Sequence, residues 1–244
     1  MYSALATVYD LFADDIDYDR WARDIANTIE DNSAFKAKSI VDLACGTGSI
    51  TCRLAKMGYA LTGIDISEEM LFCAGEKMRK TGVSYPLVKQ NISSFSLHKR
   101  ADAIVCACDG INYLLDEKDL NGFFESCRKS LKKGGVLVFD ISSEEKLKNT
   151  LGNNQYFDIR DEACLFWKNS IDGDFVDMDL NIFIEDEKGK YLRLKESQRQ
   201  RIYSKEEITK NLNGFELIEI KSVSYDKNNT DKRLQFVCRL SEEL

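Results

Sequence analysis

Hydrophobic and polar positions along the chain fall into two regimes. In residues 18–32 (YDRWARDIANTIEDN), apolar side chains recur at Trp21, Ile25 and Ile29, the spacing of an amphipathic helix. Short continuous apolar runs then alternate with helical segments. KSIVDLA (residues 38–44) reads as a strand buried on both faces. CGTGSITCRLAKMG is a glycine turn entering a helix that stops near Gly58, and YALTGIDI is a second strand. The next helix, residues 67–80, starts at Ser67 with acids in its first turn. PLVKQNI (86–92) and ADAIVCAC (101–108) are strands three and four; residues 119–131 form a helix and GGVLVFDIS (134–142) strand five. Strands alternating with helices imply βαβ units, hence an α/β fold: a doubly wound, open parallel sheet with helices on both faces.

The regime changes after about Leu147. Residues 156–202 alternate polar and apolar with no helical period, and EDEKGKY has the composition of a hairpin turn. They predict three or four antiparallel strands, a small sheet inserted into the first domain. A helix at 204–213 opens with a capping box, Ser204 and Glu207. FELIEIKSVSY and RLQFVCRL close the chain as adjacent strands. The expected organisation is one α/β domain (1–150 and 203–244) carrying an antiparallel β lid at 151–202.

Composition narrows the function classes. The 244 residues carry 34 Lys plus Arg against 41 Asp plus Glu, a formal net charge of −7. The pI near 5.0 lacks the footprint of a general nucleic-acid binder. The one local encouragement for RNA is the basic run KESQRQR, for which a solvated strand edge is the simpler explanation. The eight cysteines are dispersed without CxxC spacing and His98 is the single histidine, which argues against a zinc site and against Ser–His or Cys–His hydrolysis. No segment is apolar enough to span a bilayer and the first residues lack a basic leader, so a soluble, cytoplasmic chain is expected.

The chemistry concentrates at strand ends. In VDLACGTG (41–48) the turn Ala44–Cys45–Gly46–Thr47–Gly48 lets a ligand approach bare backbone at a helix N-terminus. It is not a Walker A loop, having no Lys, and it lacks the third glycine of a dinucleotide fingerprint. Asp42, before the turn, suits a zwitterionic amino-acid moiety better than a pyrophosphate. Asp65, ending strand two, suits ribose hydroxyls. Met70, one helical turn later, is placed over a purine face, and Asn91, with Gln90 and Ile92 at the end of strand three, could read an adenine edge.

In this order the motifs resemble the class I S-adenosylmethionine-dependent methyltransferases, over about residues 41–141. The resemblance implies a Rossmann-like, seven-stranded, mostly parallel sheet with an antiparallel last strand, and S-adenosylmethionine as cofactor. The turn residues Ala44, Cys45, Gly46 and Gly48 would hold the methionine part, Asp65 the ribose, and Ile66, Met70, Asn91 and Ile92 the adenine. Asn91 stands where many members carry Asp, and KSLKKGGVLVFDIS matches the family's later motif.

The lid, together with the start YSALATVYDLFADDIDYDRW, is similar to a small-molecule subgroup that includes aminosugar N,N-dimethyltransferases and glycine or sarcosine N-methyltransferases. That likeness implies an amine nitrogen as methyl acceptor and an N-terminal aromatic segment closing over the cofactor. Tyr2 or Tyr9 would reach the sulfonium or the acceptor, and Tyr18 and Trp21 the methionine end. After strand four, Cys108 and its neighbours face the cleft; Asp109 would stabilise or deprotonate an ammonium and Tyr113 would hydrogen-bond the acceptor. Asp109 is not followed by the prolines of the amino-methylating nucleic-acid enzymes, and a magnesium site at Asp109 and Asp140 is a weaker reading. An RNA methyltransferase and a non-catalytic, cofactor-binding partner subunit are the alternatives; a monomer or a homodimer fits.

Overall fold

The computed structural model describes residues 5–186, 188–227 and 232–241. Tyr2, expected at the reacting atoms, lies outside the described residues. The central apolar runs form a seven-stranded sheet from β1 (Ser39–Leu43), β2 (Ala60–Asp65), β3 (Leu87–Lys89), β4 (Ala101–Cys106), β5 (Leu131–Ser142), β10 (Phe215–Val223) and β11 (Arg233–Leu240). Its strand order is β10-β11-β5-β4-β1-β2-β3. The first five strands pair in parallel, and β11 lies antiparallel to both β5 and β10. Strand order reverses between β1 and β4, the place where open α/β sheets bind ligands at strand carboxyl ends.

Helices cover both faces because the inner strands bury both. On one face Ile40, Val105, Val138 and Val237 pack under α2 (Tyr18–Asn32) and α3 (Ser49–Lys56), which contribute Trp21, Ile25, Ile29, Ile50 and Leu54. On the other, Leu43, Ile104, Phe139 and Phe236 meet Leu120, Phe123 and Phe124 of α5 (Glu117–Ser130) and Ile208 of α6 (Lys205–Lys210). The caps fall where local chemistry puts them. Asp17 accepts from Arg20 N–H to start α2, Ser67 accepts from Met70 N–H to start α4 (Glu68–Thr81), and Gly82 ends α4 in the left-handed region. The capping box of Ser204 and Glu207 is formed.

The alternating segment folds as a separate four-stranded antiparallel sheet, β6 (Gln155–Ile159), β7 (Ala163–Asp172), β8 (Phe175–Glu185) and β9 (Tyr191–Arg201). Three elements have no counterpart in the sequence reading; one is a single 3-10 turn, Gly110–Tyr113, after β4. A short π-helical stretch, Lys146–Leu151, leads from β5 into the small sheet. A four-residue helix, α1 (Tyr9–Phe12), precedes α2. Leu5 and Val8 on this leading segment pack with Leu165, Leu180 and Ile182 of the small sheet, so the two form one apolar unit above the strand ends. Strand three is shorter than expected and ends at Lys89, which leaves Asn91 and Ile92 in the following turn. Among the described residues no helix is long and apolar enough to cross a membrane.

Candidate functional site

The glycine turn forms the floor of a cleft at the switch point. Ala44, Gly46 and Gly48 all have positive φ, at 52°, 53° and 76°. The two glycines serve different ends. A Cβ added at Gly46 would meet no atom within 4 Å, so Gly46 opens onto empty space. A Cβ at Gly48 would lie 2.9 Å from the Tyr85 hydroxyl and 3.1 Å from Ala74, so Gly48 is required for packing against α4 and β3's approach. Gly48 was expected to touch the cofactor; it lines neither cavity described below.

Two cavities meet over this turn. The larger, of about 240 Å³, is lined by Asp65, Ile66, Met70, Asn91, Ile92, Gly110, Tyr113, Leu114 and Asp119. The smaller, of about 40 Å³, is lined by Asp42, Cys45, Thr47, Ser49, Ile50, Tyr18 and Ala107. Tyr9, Ala44, Gly46 and Cys108 border both and form the waist between them. Two lobes joined over a bare glycine match an elongated ligand with a nucleoside end and a small polar end. Apart from Tyr2, Trp21, Gly48, Asp109 and Gln90, whose amide is engaged with the Ser96 backbone, the residues read from the sequence as ligand contacts converge here.

Asp65 reaches into the larger lobe while anchoring the turn. One carboxylate oxygen accepts from Gly46 N–H at 2.8 Å and the other from Ser67 N–H at 2.9 Å. Burial pushes its carboxyl above the usual range, and the backbone hydrogen bonds from Ser67, Gly46 and Ile66 oppose that. Each oxygen retains acceptor capacity for a ribose hydroxyl. Met70 is buried at the base of the lobe and Ile66 stands half exposed at its rim. The Asn91 side-chain oxygen accepts from Ser93 N–H at 2.9 Å. That bond shapes the turn after β3, where Asn91 lines the lobe.

Asp42 forms the floor of the smaller lobe. It is 3% exposed and accepts a hydrogen bond from the Thr51 hydroxyl at 2.5 Å. Burial pushes its carboxyl up to about 7, with the Thr51 bond pulling the other way. Tyr9 and Tyr18 both line this lobe. Both phenols are raised, Tyr9 chiefly by the neighbouring Tyr18 and by burial, Tyr18 chiefly by burial. The leading segment is latched to the turn by Asp10, which accepts from the Thr47 hydroxyl at 2.7 Å and pairs with Lys77 at 2.8 Å.

Trp21 is a correction. Its ring is fully buried between Tyr18 and Tyr225, with centroids 6.2 and 4.5 Å away, and it borders neither cavity. Helical spacing established that Trp21 points inward from α2, and the rotation of α2 on the sheet sends it to the core beneath the cleft.

Asp109 does not suit the proton-accepting half of its expected role, and it lines neither cavity. Its carboxylate pairs with Arg233 at 2.6 Å and accepts from the Ser142 hydroxyl and the Gln200 amide, each at 3.1 Å. Burial alone would raise it, but Arg233, Lys146 and those hydrogen bonds outweigh burial and hold the carboxyl below its ordinary range. An acid held down in this way is a poor proton acceptor near neutral pH. The backbone here is strained, with Cys108 at φ 59° and Asp109 at φ 53°. Two successive non-glycine residues in the left-handed region cost about 1–2 kcal/mol each. Asp140, itself paired with Arg233 at 3.2 Å, accepts from the N–H groups of both, at 3.1 and 2.8 Å.

The sequence reading missed the inward row of β9. Glu196, Gln198 and Gln200 are all buried, on alternate positions of the run taken for a solvated basic edge. Gln198 accepts from the Tyr113 hydroxyl at 2.9 Å and donates to Glu196 at 2.7 Å; Glu196 also accepts from Leu5 N–H at 3.2 Å. The two arginines of the run lie on the alternate row, Arg199 paired with Asp172 and Arg201 with Glu207. The period-two rule that identified the strand also separates these two faces.

Comparison with known proteins identifies the family and the fold. Residues 40–135 match the family described as "Methyltransferase domain". A protein of Geobacillus sp. (strain WCH70), whose name classes it among the methyltransferases, is 30% identical over 245 residues, covering 98% of this chain and 99% of that one. A crystal structure of an S-adenosylmethionine-dependent methyltransferase from Clostridium acetobutylicum ATCC 824 superposes with a TM-score of 0.85 at 32% identity, covering 98% of this chain and 99% of that one. The dTDP-3-amino-3,4,6-trideoxy-alpha-D-glucopyranose N,N-dimethyltransferase of Streptomyces venezuelae is 31% identical over 137 residues, 55% of this chain and 56% of that enzyme.

Proposed function

The chain belongs to the S-adenosylmethionine-dependent methyltransferases, and from that premise we propose that it methylates an amine nitrogen of a small-molecule acceptor beneath the β lid. The residues present fit the cofactor. Gly46 leaves open the space that any side chain would fill, at the waist of a two-lobed cleft. In this reading Asp65 holds the ribose, Ile66, Met70, Asn91 and Ile92 surround the adenine, and Ala44, Cys45 and Gly46 carry the methionine part with Asp42 below it. When bound, S-adenosylmethionine supplies an electrophilic methyl carbon and departs as a neutral thioether.

The protein's work is alignment and exclusion of water. The lid sheet and the leading segment, residues 155–201 and 5–12, cover the strand ends from above and limit the acceptor to small molecules. The observation that carries the acceptor reading is Tyr113. It lines the larger lobe on the Gly110–Leu114 side, which in this reading is the acceptor's approach beside the adenosine, and its hydroxyl donates to Gln198. Toward an acceptor its oxygen therefore accepts, and an amine N–H donated to it turns the nitrogen lone pair toward the methyl group. With Asp109 paired to Arg233, the proton of an ammonium acceptor passes to bulk water before transfer, so the rate rises with pH until the amine is neutral. The sugar N,N-dimethyltransferase named above supports nitrogen as the target.

The test is product formation from radiolabelled S-adenosylmethionine against a panel of aminosugar nucleotides, small amino acids, phenols and RNA. Amine turnover that falls at least tenfold in Tyr113→Phe, with cofactor affinity retained, is expected. Turnover confined to phenols or RNA overturns the reading. Two cations of the run that gave RNA its one local support are engaged by acids, Arg199 by Asp172 and Arg201 by Glu207.

A further inference from the structure

A left-handed pair of non-glycine residues needs something to hold it, and here the holders lie far off in sequence. Cys108 and Asp109 follow β4, and Cys108 sits at the waist of the cleft. Their N–H groups are taken by the two oxygens of Asp140 on β5. One guanidinium nitrogen of Arg233, on β11, touches both carboxylates, at 2.6 Å to Asp109 and 3.2 Å to Asp140. The guanidinium is buried and lies over the Trp21 ring, 5.3 Å from its centroid, so it has little room to swing away. The other Asp109 oxygen is held from the lid by Gln200 at 3.1 Å. Next to this, Asn112 donates to the Arg201 carbonyl at 2.9 Å and accepts from Ser142 N–H at 2.9 Å. The last strand of the lid is thus stapled to the turn that walls the cofactor cleft.

We propose that Gln200 and Arg233 are positioning residues for the cofactor: through Asp109 and Asp140 they hold the Cys108–Asp109 turn in its left-handed form, so that the lid strand and the wall of the cleft act as one unit. Neither Gln200 nor Arg233 lines the cofactor cavities; both act through the turn. Releasing either lets Cys108 and Asp109 relax toward ordinary backbone angles, which displaces the wall at the waist. Lid displacement and cofactor affinity are then coupled in both directions, as linkage requires. The inference rests on the reading that the cofactor occupies this cleft.

The probe is S-adenosylhomocysteine, titrated by calorimetry into full-length protein whose circular dichroism matches the wild type. Gln200→Ala is expected to weaken binding about three- to tenfold, the scale of one lost hydrogen bond to a charged group. Arg233→Lys keeps a cation between the carboxylates, avoiding the folding loss that full neutralisation invites, but loses the planar fork, and is expected to weaken binding by a similar factor. Each substitution is repeated in a Cys108→Gly background, where the left-handed angle costs nothing. A positioning role predicts that the loss caused by Gln200→Ala at least halves, on a logarithmic scale, in that background. A merely structural role leaves the two losses equal, and equal losses, or a Gln200→Ala affinity within twofold of wild type, overturn the proposal. Gly46→Val serves as the control. If it too binds normally, the location of the cofactor is wrong; if it abolishes binding while Gln200→Ala does nothing, only the coupling fails.

Discussion

Replacing Asp42 by Asn should make the protein more stable at pH 8, by an amount that vanishes toward pH 4. Asp42 is 3% exposed, and its folded carboxyl, pushed up by burial, titrates at about 7 against an ordinary 3.8. Because the folded value lies above the unfolded one, the neutral acid favours the folded state. Its contribution is complete below pH of about 4, is lost as pH climbs to about 7, and is constant beyond. Roughly three pH steps at about 1.36 kcal/mol each set a ceiling near 4 kcal/mol. Asn keeps an acceptor for the Thr51 hydroxyl, whose bond to Asp42 is 2.5 Å, and carries no charge to bury. Urea denaturation of both proteins at pH 4, 5, 6, 7 and 8 is the assay, other titrations cancelling in the difference. A gain of about 2–4 kcal/mol at pH 8, or on the order of 10 °C in Tm, is expected. The cofactor should show the opposite preference. In the proposed pose its α-ammonium lies over the smaller lobe and favours the ionised acid, so S-adenosylhomocysteine binding to wild type strengthens from pH 5.5 to 7.5 and flattens in the variant. A stability difference that is equal at pH 5 and pH 8 would refute the buried, raised carboxyl.

Gly46→Val should abolish S-adenosylhomocysteine binding in calorimetry while the fold persists, because its Cβ projects into open cleft and its φ of 53° disfavours a branched residue. Asp65→Ala should weaken the same binding tenfold or more, since hydrogen bonds to a charged group contribute about 1.5–3 kcal/mol; unchanged affinity would sink the ribose assignment. Asp10→Ala breaks the latch to Thr47 and Lys77, and stopped-flow displacement should show cofactor release accelerated about threefold, a small effect because the latch is half exposed to solvent.

Much of this molecule was legible from local pattern. Continuous apolar runs marked β1, β4 and β5, because strands with helices on both faces must bury both. The change to period two marked the four-stranded antiparallel sheet, and Ser204 with Glu207 marked the start of α6. Asp65, Met70 and the Gly46 turn could be read because each follows a strand end at a fixed short distance, and a parallel sheet brings all its strand ends to one edge. The two glycines of the turn, alike in sequence, separate only in space, one facing the cleft and the other facing Tyr85 and Ala74.

What remained hidden depends on partners that meet only after the strands are ordered. Trp21 has the spacing of an inward residue in either case, and only the seating of α2 against Tyr225 sends it to the core. The period of KESQRQR marks a strand, but not which alternate row turns inward until β9 pairs with β8. Asp109 looks like a base in a loop until β11 inserts antiparallel beside β5 and brings Arg233, 124 residues downstream, onto its carboxylate. The physical reason is range. Periodicity, capping and turn preference act over a few residues and are written in the chain. The charge state of a buried acid and the direction of a buried ring are set by neighbours that chain closure alone selects.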